Sequence, residues 1–294
     1  MEKAVYHLPG LFEFYDFYRK FLPIYREKTE YFYDWCQIGS LYGAPADCLW
    51  AGGRVSTGNA SPRQVRALTE GYGLSARLTF SNSLLRPEHL KDPKCNRLCA
   101  LFGAEPGNGV IDHSELLLDY LKEKYPNFYF VSSTTKVLTD FEGLAAETER
   151  PDFRYVVPDF RLNKAFDRLA GLKEKRKVEF LCNECCWPGC RERKECYENV
   201  SRKNLGEHCP DHICAAPEGE KGYRFSAAMK NPAFIGIRDI RETYLPMGFS
   251  QFKIEGRGLG SAMLLEFILY YLTKPEYQLP LREEMYLDSM LDLF

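Results

Sequence analysis

Short apolar runs recur along the chain, separated by stretches whose apolar positions fall three and four residues apart. The runs predict eight strands: "WCQIGSLYG" (Trp35–Gly43), "ARLTFSN" (Ala76–Asn82), "NGVIDH" (Asn108–His113), "NFYFVSSTTK" (Asn127–Lys136), "DFRYVVPDFRLN" (Asp152–Asn163), "KVEFLCNE" (Lys177–Glu184), "AFIGI" (Ala233–Ile237) and "FSQFKIEGR" (Phe249–Arg257). "DCLWAGGR" (Asp47–Arg54) ends in a glycine turn. A helix capped by Ser61 with Pro62 in its first turn is predicted next, then one capped by Ser114 and stopped by Pro126. "KAFDRLAGLKEK" and the apolar "SAMLLEFILYYL" predict two more. The aromatic-rich stretch from Phe12 to Trp35, with acidic residues interleaved, reads as an amphipathic helical cover.

Strands alternating with helices argue for parallel βα units, since a parallel pair needs a long crossover. About eight units in 294 residues suit a closed (β/α)₈ TIM-like barrel, an α/β fold, better than an open sheet. Residues 1–294 are expected to form one such domain, with a cysteine-rich segment, 182–214, set within it after a late strand.

Polar residues cluster where the predicted strands end: Asn82, Ser132 to Lys136, Asp159 with Asn163, Asn183 with Glu184, and Lys253 with Glu255 and Arg257. In a barrel these ends converge on one face, where catalytic groups sit. Strand alternation puts Lys253, Glu255 and Arg257 on one side, facing the interior. Buried charges must be paired, so one reading is a structural network plugging the barrel end. The other is a substrate site in which Arg257 grips a carboxylate or phosphate. Asn183 and Glu184 are candidates for substrate orientation and proton transfer, and Asp159 is a further catalytic candidate.

Composition adds two limits. A net charge of -2 gives no pull toward nucleic acid or anionic membrane, and the apolar fraction of 45% is ordinary for a soluble protein. The start "MEKAVYHLPG" has no apolar core of a secretory signal, and Ser261–Leu272 is too short to span a bilayer. A cytoplasmic protein without membrane insertion is expected.

Seven of eleven cysteines lie between Phe180 and Cys214. In a reducing compartment such clustering favours metal or redox work over disulfides. Cys186 and Cys190 form a C-x₃-C pair across "WPG", and Cys209 and Cys214 a C-x₄-C pair. Four thiolates suit zinc or an iron–sulfur cubane equally in count. Cys185 and Cys196 are possible substitutes in the set. A radical-SAM spacing is excluded because Arg193 stands where its third cysteine would fall. Cys36, Cys48, Cys95 and Cys99 read as core or surface thiols, and the glycines of "GNG" and "EGRGLGS" as weak phosphate-loop signals.

Together "VVPDFRLN", "FLCNECCWPGC" and "GFSQFKIEGR" followed by a helix and "YYLTKPEY" resemble peptidase family U thirty-two, the collagenase-like peptidases. "LYGAP", "LTFSN" and "SSTTK" fit its single-domain members. The resemblance implies a TIM-like barrel whose cysteines bind a 4Fe-4S cluster. It implies one of two activities: a peptidase, or oxygen-independent hydroxylation of a small molecule or RNA base, with an anionic co-substrate such as prephenate as oxygen donor and a redox partner as a further participant. The sequence ends soon after the barrel, without the further C-terminal domain of longer members. The peptidase reading has little chemical support in sequence, since no G-x-S-x-G or H-E-x-x-H motif accompanies the five histidines. A zinc-stapled, non-catalytic scaffold is the remaining alternative.

Overall fold

A computed structural model describes residues 2–53, 58, 60–217, 219 and 222–291. Eight parallel strands form one sheet: β1 (Ala4–Pro9), β2 (Cys36–Gly43), β3 (Ser75–Phe80), β4 (Gly109–Asp112), β5 (Tyr129–Ser132), β6 (Phe153–Val156), β7 (Glu179–Leu181) and β8 (Gln251–Lys253). Their order is β6-β5-β4-β3-β2-β1-β8-β7, and a parallel bridge between Val156 and Val178 joins the two ends. The sheet therefore closes as a (β/α)₈ barrel.

Two of the expected elements differ. The chain opens with a strand, β1, in "AVYHLP", which pairs with both β2 and β8. Ala233–Ile237 is not a strand: Ile235 donates one backbone hydrogen bond to Cys182 and the chain then enters α9 (Ile237–Asp239). Both segments are apolar and short, so periodicity alone does not separate them. The loop that Arg54 was expected to close is described only to Gly53; Arg54 lies outside the described residues.

The helices follow the chain order α1 (Tyr15–Glu27), α2 (Pro62–Gly71), α3 (Pro93–Phe102), α4 (Glu115–Lys124), α5 (Phe141–Glu149), α6 (Phe166–Ala170), α7 (Arg193–Asn204), α8 (Phe225–Ala228), α9, α10 (Ser261–Tyr271) and α11 (Gln278–Leu291). The expected aromatic cover is α1, which buries Tyr18, Phe21 and Leu22. Ser114 caps α4 by accepting from the Leu117 N–H, whereas Ser61 makes no side-chain cap on α2. The helix expected over "KAFDRLAGLKEK" is short: it stops at Ala170 beside Gly171, and Lys175–Lys177 is a separate 3₁₀ turn.

Strand alternation splits the buried residues into two sets. Tyr6, Leu78, Phe80, Val110, Phe130, Phe153, Phe180 and Phe252 face outward into the large core under the helices. Tyr42, Ile111, Val131, Val157 and Leu181 form a separate apolar collar inside the barrel, with Tyr129 and Tyr155 against it. Toward the N-terminal end of the barrel the interior is ionic. The Arg77 guanidinium donates to Glu179 at 2.5 Å and to the Tyr129 hydroxyl at 2.8 Å, and Lys253 Nζ lies 3.3 Å from the other Glu179 oxygen. Both members of the Arg77–Glu179 pair are fully buried. A register shift between Tyr6 and His7 skips Gly39, whose missing side chain leaves room for Val5 and His7, and sets Ser40 opposite the imidazole.

A buried pair is favourable only while both charges remain. Glu179→Gln would leave Arg77 and Lys253 without their counter-ion, and we expect it to cost about 3–5 kcal/mol in urea unfolding. The double change Arg77→Met with Glu179→Leu should cost less than the two single changes together. An unaltered unfolding midpoint for Glu179→Gln would show that the layer does not brace the barrel.

Candidate active site at the barrel mouth

The strand ends converge as the polar pattern predicts. A cleft sits at the C-terminal mouth of the barrel, and Lys253, Glu255, Arg257 and Glu184 all line it. Tyr42, Ile111 and Leu181 of the collar make its apolar floor, and Thr79, Ser81 and Ser133 to Thr135 add a hydroxyl rim.

Lys253 belongs both to the ionic layer and to the cleft. Its Nζ stands 3.8 Å from the centroid of the Tyr42 ring, whose hydroxyl donates to the Ile254 carbonyl at 2.7 Å. Burial lowers its pKa to about 8; Arg77 and Arg257 add to the lowering, and Glu179 opposes it. The Arg257 guanidinium stacks toward the same Tyr42 ring at 5.8 Å and packs over Gly53, where a Cβ would meet it at 2.9 Å. Gly53 has φ +71, a backbone conformation glycine adopts without strain.

Three hydroxyls at this cleft have buried oxygens without a protein hydrogen-bond partner: Thr79 Oγ1, Ser81 Oγ and Thr134 Oγ1. Buried polar atoms are ordinarily satisfied. Their convergence around two cations is the arrangement a bound, hydrogen-bonding anion would complete.

The remaining catalytic candidates are engaged by the protein. Asn183 Nδ2 donates to the Glu255 carbonyl at 3.0 Å, and its Oδ1 accepts from the Glu255 N–H at 2.7 Å. Its amide thus imitates a peptide and extends the β7–β8 ladder past the strand ends. Glu184 Oε1 accepts from the N–H groups of Cys185 and Cys186, both at 2.9 Å, and Oε2 accepts from Arg193 at 2.8 Å. Asp159 accepts from Arg161 Nε at 2.6 Å and lies 3.4 Å from Arg193 Nε. Arg193, buried at the first turn of α7, therefore ties the end of β6 to the end of β7.

The cysteine segment lies beside this cleft. Cys186 and Cys190 share one turn, closed by the Cys190 N–H on the Trp187 carbonyl, and burial pushes the Cys186 thiol up to about 11 against the pull of Arg193. The chain then runs out along α7 and turns back: Asn199 meets Cys209 and Pro210, Lys203 meets Asp211, and His212 comes within 3.4 Å of Glu192. Cys214, Cys196 and Cys185 are at least partly exposed. Among the described residues no three His, Cys, Asp or Glu side chains are grouped to hold a metal ion. In the glycine loop before α10 the Gly258 N–H donates to Glu13 Oε1 at 2.8 Å.

Two features escaped the sequence reading. Charges embedded in strands, His7 in "AVYHLP", Arg77 in "ARLTF" and Glu179 in "VEF", mark the ionic layer; their period-two placement was the available signal. The second is a hydroxyl chain: His113 Nδ1 lies 2.8 Å from Thr135 Oγ1, which lies 2.9 Å from Ser133 Oγ. Burial and Lys136 lower the His113 pKa to about 4, so its imidazole is neutral near pH 7.

No family model and no curated protein matches the sequence. In fold, the chain is similar to the solved structure of the U32 peptidase Mk0906, with a TM-score of 0.53, 12% identity, and cover of 86% of this chain and 92% of that chain. The molecule is thus a (β/α)₈-barrel protein with a polar cleft at the mouth. Its structural neighbour bears the name of the family whose motifs the sequence resembles; at this identity the likeness establishes the shared barrel. Among the described residues no helix is long and apolar enough to cross a membrane.

The buried imidazoles set an acid limit. His7 donates from Nε2 to Gln251 Oε1 at 3.1 Å, accepts from Ser40 at 2.8 Å, and has its pKa lowered by burial to about 3. With folded values below the ordinary 6.5, His7 and His113 contribute stability that is present above pH 6.5 and lost as pH falls toward about 3 and about 4. Thermal melts should show Tm falling from pH 6.5 downward, and His7→Gln should flatten part of that slope. An equally steep limb in the variant would remove His7 from the account.

Proposed function

We propose that this chain is an enzyme that binds a small anionic molecule in the barrel mouth. The observation that carries the reading is the convergence of Lys253 and Arg257 with the unpartnered hydroxyls of Thr79, Ser81 and Thr134. A carboxylate or phosphate laid between the cations would satisfy those hydroxyls and take a charge-assisted grip from Arg257. Glu184 and Glu255 both line the cleft, and Glu184 is the carboxylate assigned to proton exchange with the ligand, while Asn183 and Asp159 act through position, holding Glu255 and Arg193.

We further propose that the cysteine segment takes a thiophilic centre, a 4Fe-4S cluster with zinc as the alternative. Cys186 and Cys190 would form one half, and Cys209 and Cys214, or Cys185 and Cys196 in their place, the other. The shared turn of the first pair and the return of the chain along α7 support this. Such a cluster would supply electron transfer for oxygen-independent hydroxylation of a small molecule or a nucleic-acid base, with a prephenate-like dicarboxylate and a redox partner as the further participants. The reducing cytoplasm is the compartment that suits these thiols.

A second reading is hydrolysis of peptides. The name of the structural neighbour suggests it, and the His113–Thr135–Ser133 chain supports it, since an imidazole linked to hydroxyls at a barrel mouth is the raw material of an activated nucleophile.

Calorimetry with malonate tests the first reading. Binding that weakens about tenfold or more in Arg257→Ala is expected from the loss of a charge-assisted contact; unaltered affinity would return Arg257 to a structural role. Anaerobically purified protein should contain iron and sulfide, and Cys190→Ser should lose them; zinc would favour the alternative, and unchanged iron in the variant would remove Cys190 from the ligand set. Casein and gelatin digestion decides the second reading: it requires cleavage that disappears in both Ser133→Ala and His113→Ala.

A further inference from the structure

Lys253 is placed for more than an anion clamp. A lysine at a surface is a strongly hydrated point charge on a flexible stem. Lys253 instead rises from the interior of the barrel with its side chain buried, its amine against the Tyr42 ring, and its end at the floor of the cleft. Glu179 of β7 faces it at 3.3 Å, Arg77 of β3 and His7 of β1 complete the layer beneath, and Glu255 and Arg257 stand above on its own strand's continuation. Leu181 and Ile111 wall the same floor with apolar surface.

Resting on the anion-site reading, we propose that Lys253 is a covalent catalytic amine that condenses with the carbonyl carbon of a small 2-oxo acid bound by Arg257. The Nζ lone pair attacks the carbonyl carbon, the C–N bond forms as the C=O π bond breaks onto oxygen, and one Nζ proton passes to that oxygen to give a carbinolamine. The hydroxyl takes up a second proton and leaves as water while the C=N bond forms, and release of the remaining Nζ proton makes good the one taken up, leaving the neutral imine. The sum is amine plus carbonyl to imine plus water, with no oxidant or reductant. The 2-oxo acid class follows from the functions that line one cleft: a cation for the carboxylate, an amine for the adjacent carbonyl, and the Thr79 and Ser81 hydroxyls to donate to the oxygen that leaves.

The environment serves the same end. The attacking form is the neutral amine, and burial beside Arg77 and Arg257 brings the lysine pKa down to about 8. Glu179 stays ionised, because Arg77 and its other cationic neighbours outweigh its burial, so it holds the amine in place without removing its reactivity.

The test is reductive trapping of the full chain with pyruvate and cyanoborohydride, followed by intact mass and peptide mapping. One reduced pyruvate adduct on Lys253, lost when malonate occupies the cleft, is the expected result. Its rate should rise through pH 8 and level off, while trapping on surface lysines goes on rising toward their ordinary 10.5. Lys253→Met should lose the adduct; since that change could unfold the barrel, malonate protection in the unaltered protein serves as the independent measurement. Adducts spread over surface lysines with none on Lys253 would overturn the inference. So would the absence of any adduct while malonate still binds in calorimetry, which leaves the anion-site reading standing. If malonate fails to bind as well, both fall.

Discussion

Inside the barrel, the Arg77–Glu179 contact is the constraint to which the rest is fitted. It places opposite charges from β3 and β7 face to face across the barrel interior, where neither is reached by solvent. Such a pair repays its desolvation only through close geometry and additional hydrogen bonds. Here the Tyr129 hydroxyl and Lys253 supply hydrogen bonds, and the Arg77 guanidinium also lies over the rings of Tyr129 and Tyr155. The His7 imidazole stays neutral because Arg77 and burial both oppose its proton. Glu179 is thus the carboxylate that both Arg77 and Lys253 face, and this layer helps set the ionisation of His7 and Lys253.

The cleft inherits its character from that layer. An apolar collar separates the charges below from the hydroxyl rim above, and Lys253 spans the collar. Water is kept from the lower charges, while one amine is delivered to the ligand side. A barrel mouth lined only with apolar groups would have shape without orientation; Arg257 and the unpartnered hydroxyls provide direction.

Much of this was legible in the residues. Alternation of short apolar runs with helix patterns led to the barrel, and the polar strand ends led to the cleft at its mouth. Lys253, Glu255 and Arg257 share that face because β8 continues in extended conformation. β1 was hidden because its six residues precede an aromatic helix and lack a polar alternation. Ala233–Ile237 misled because an apolar pentapeptide buried beneath a barrel end looks the same as a strand. The partners of Asn183 and Glu184 were not legible at all. They depend on backbone groups of Glu255, Cys185 and Cys186 that only the closed barrel brings within reach. The ligand set of the cysteine segment has the same difficulty, since spacing limits which thiols can meet without saying which do.

The seam between β6 and β7 gives one last consequence. A single bridge, Val156 to Val178, carries the ladder there, while neighbouring strands share three to six paired positions. Side chains replace the missing rungs: Arg193 fastens Asp159 to Glu184, and Asn163 reaches the Leu181 carbonyl at 2.9 Å. The stitch that keeps the hoop shut is therefore made by the first turn of the cysteine-bearing excursion itself. One guanidinium is thus the buckle shared by the excursion and the hoop.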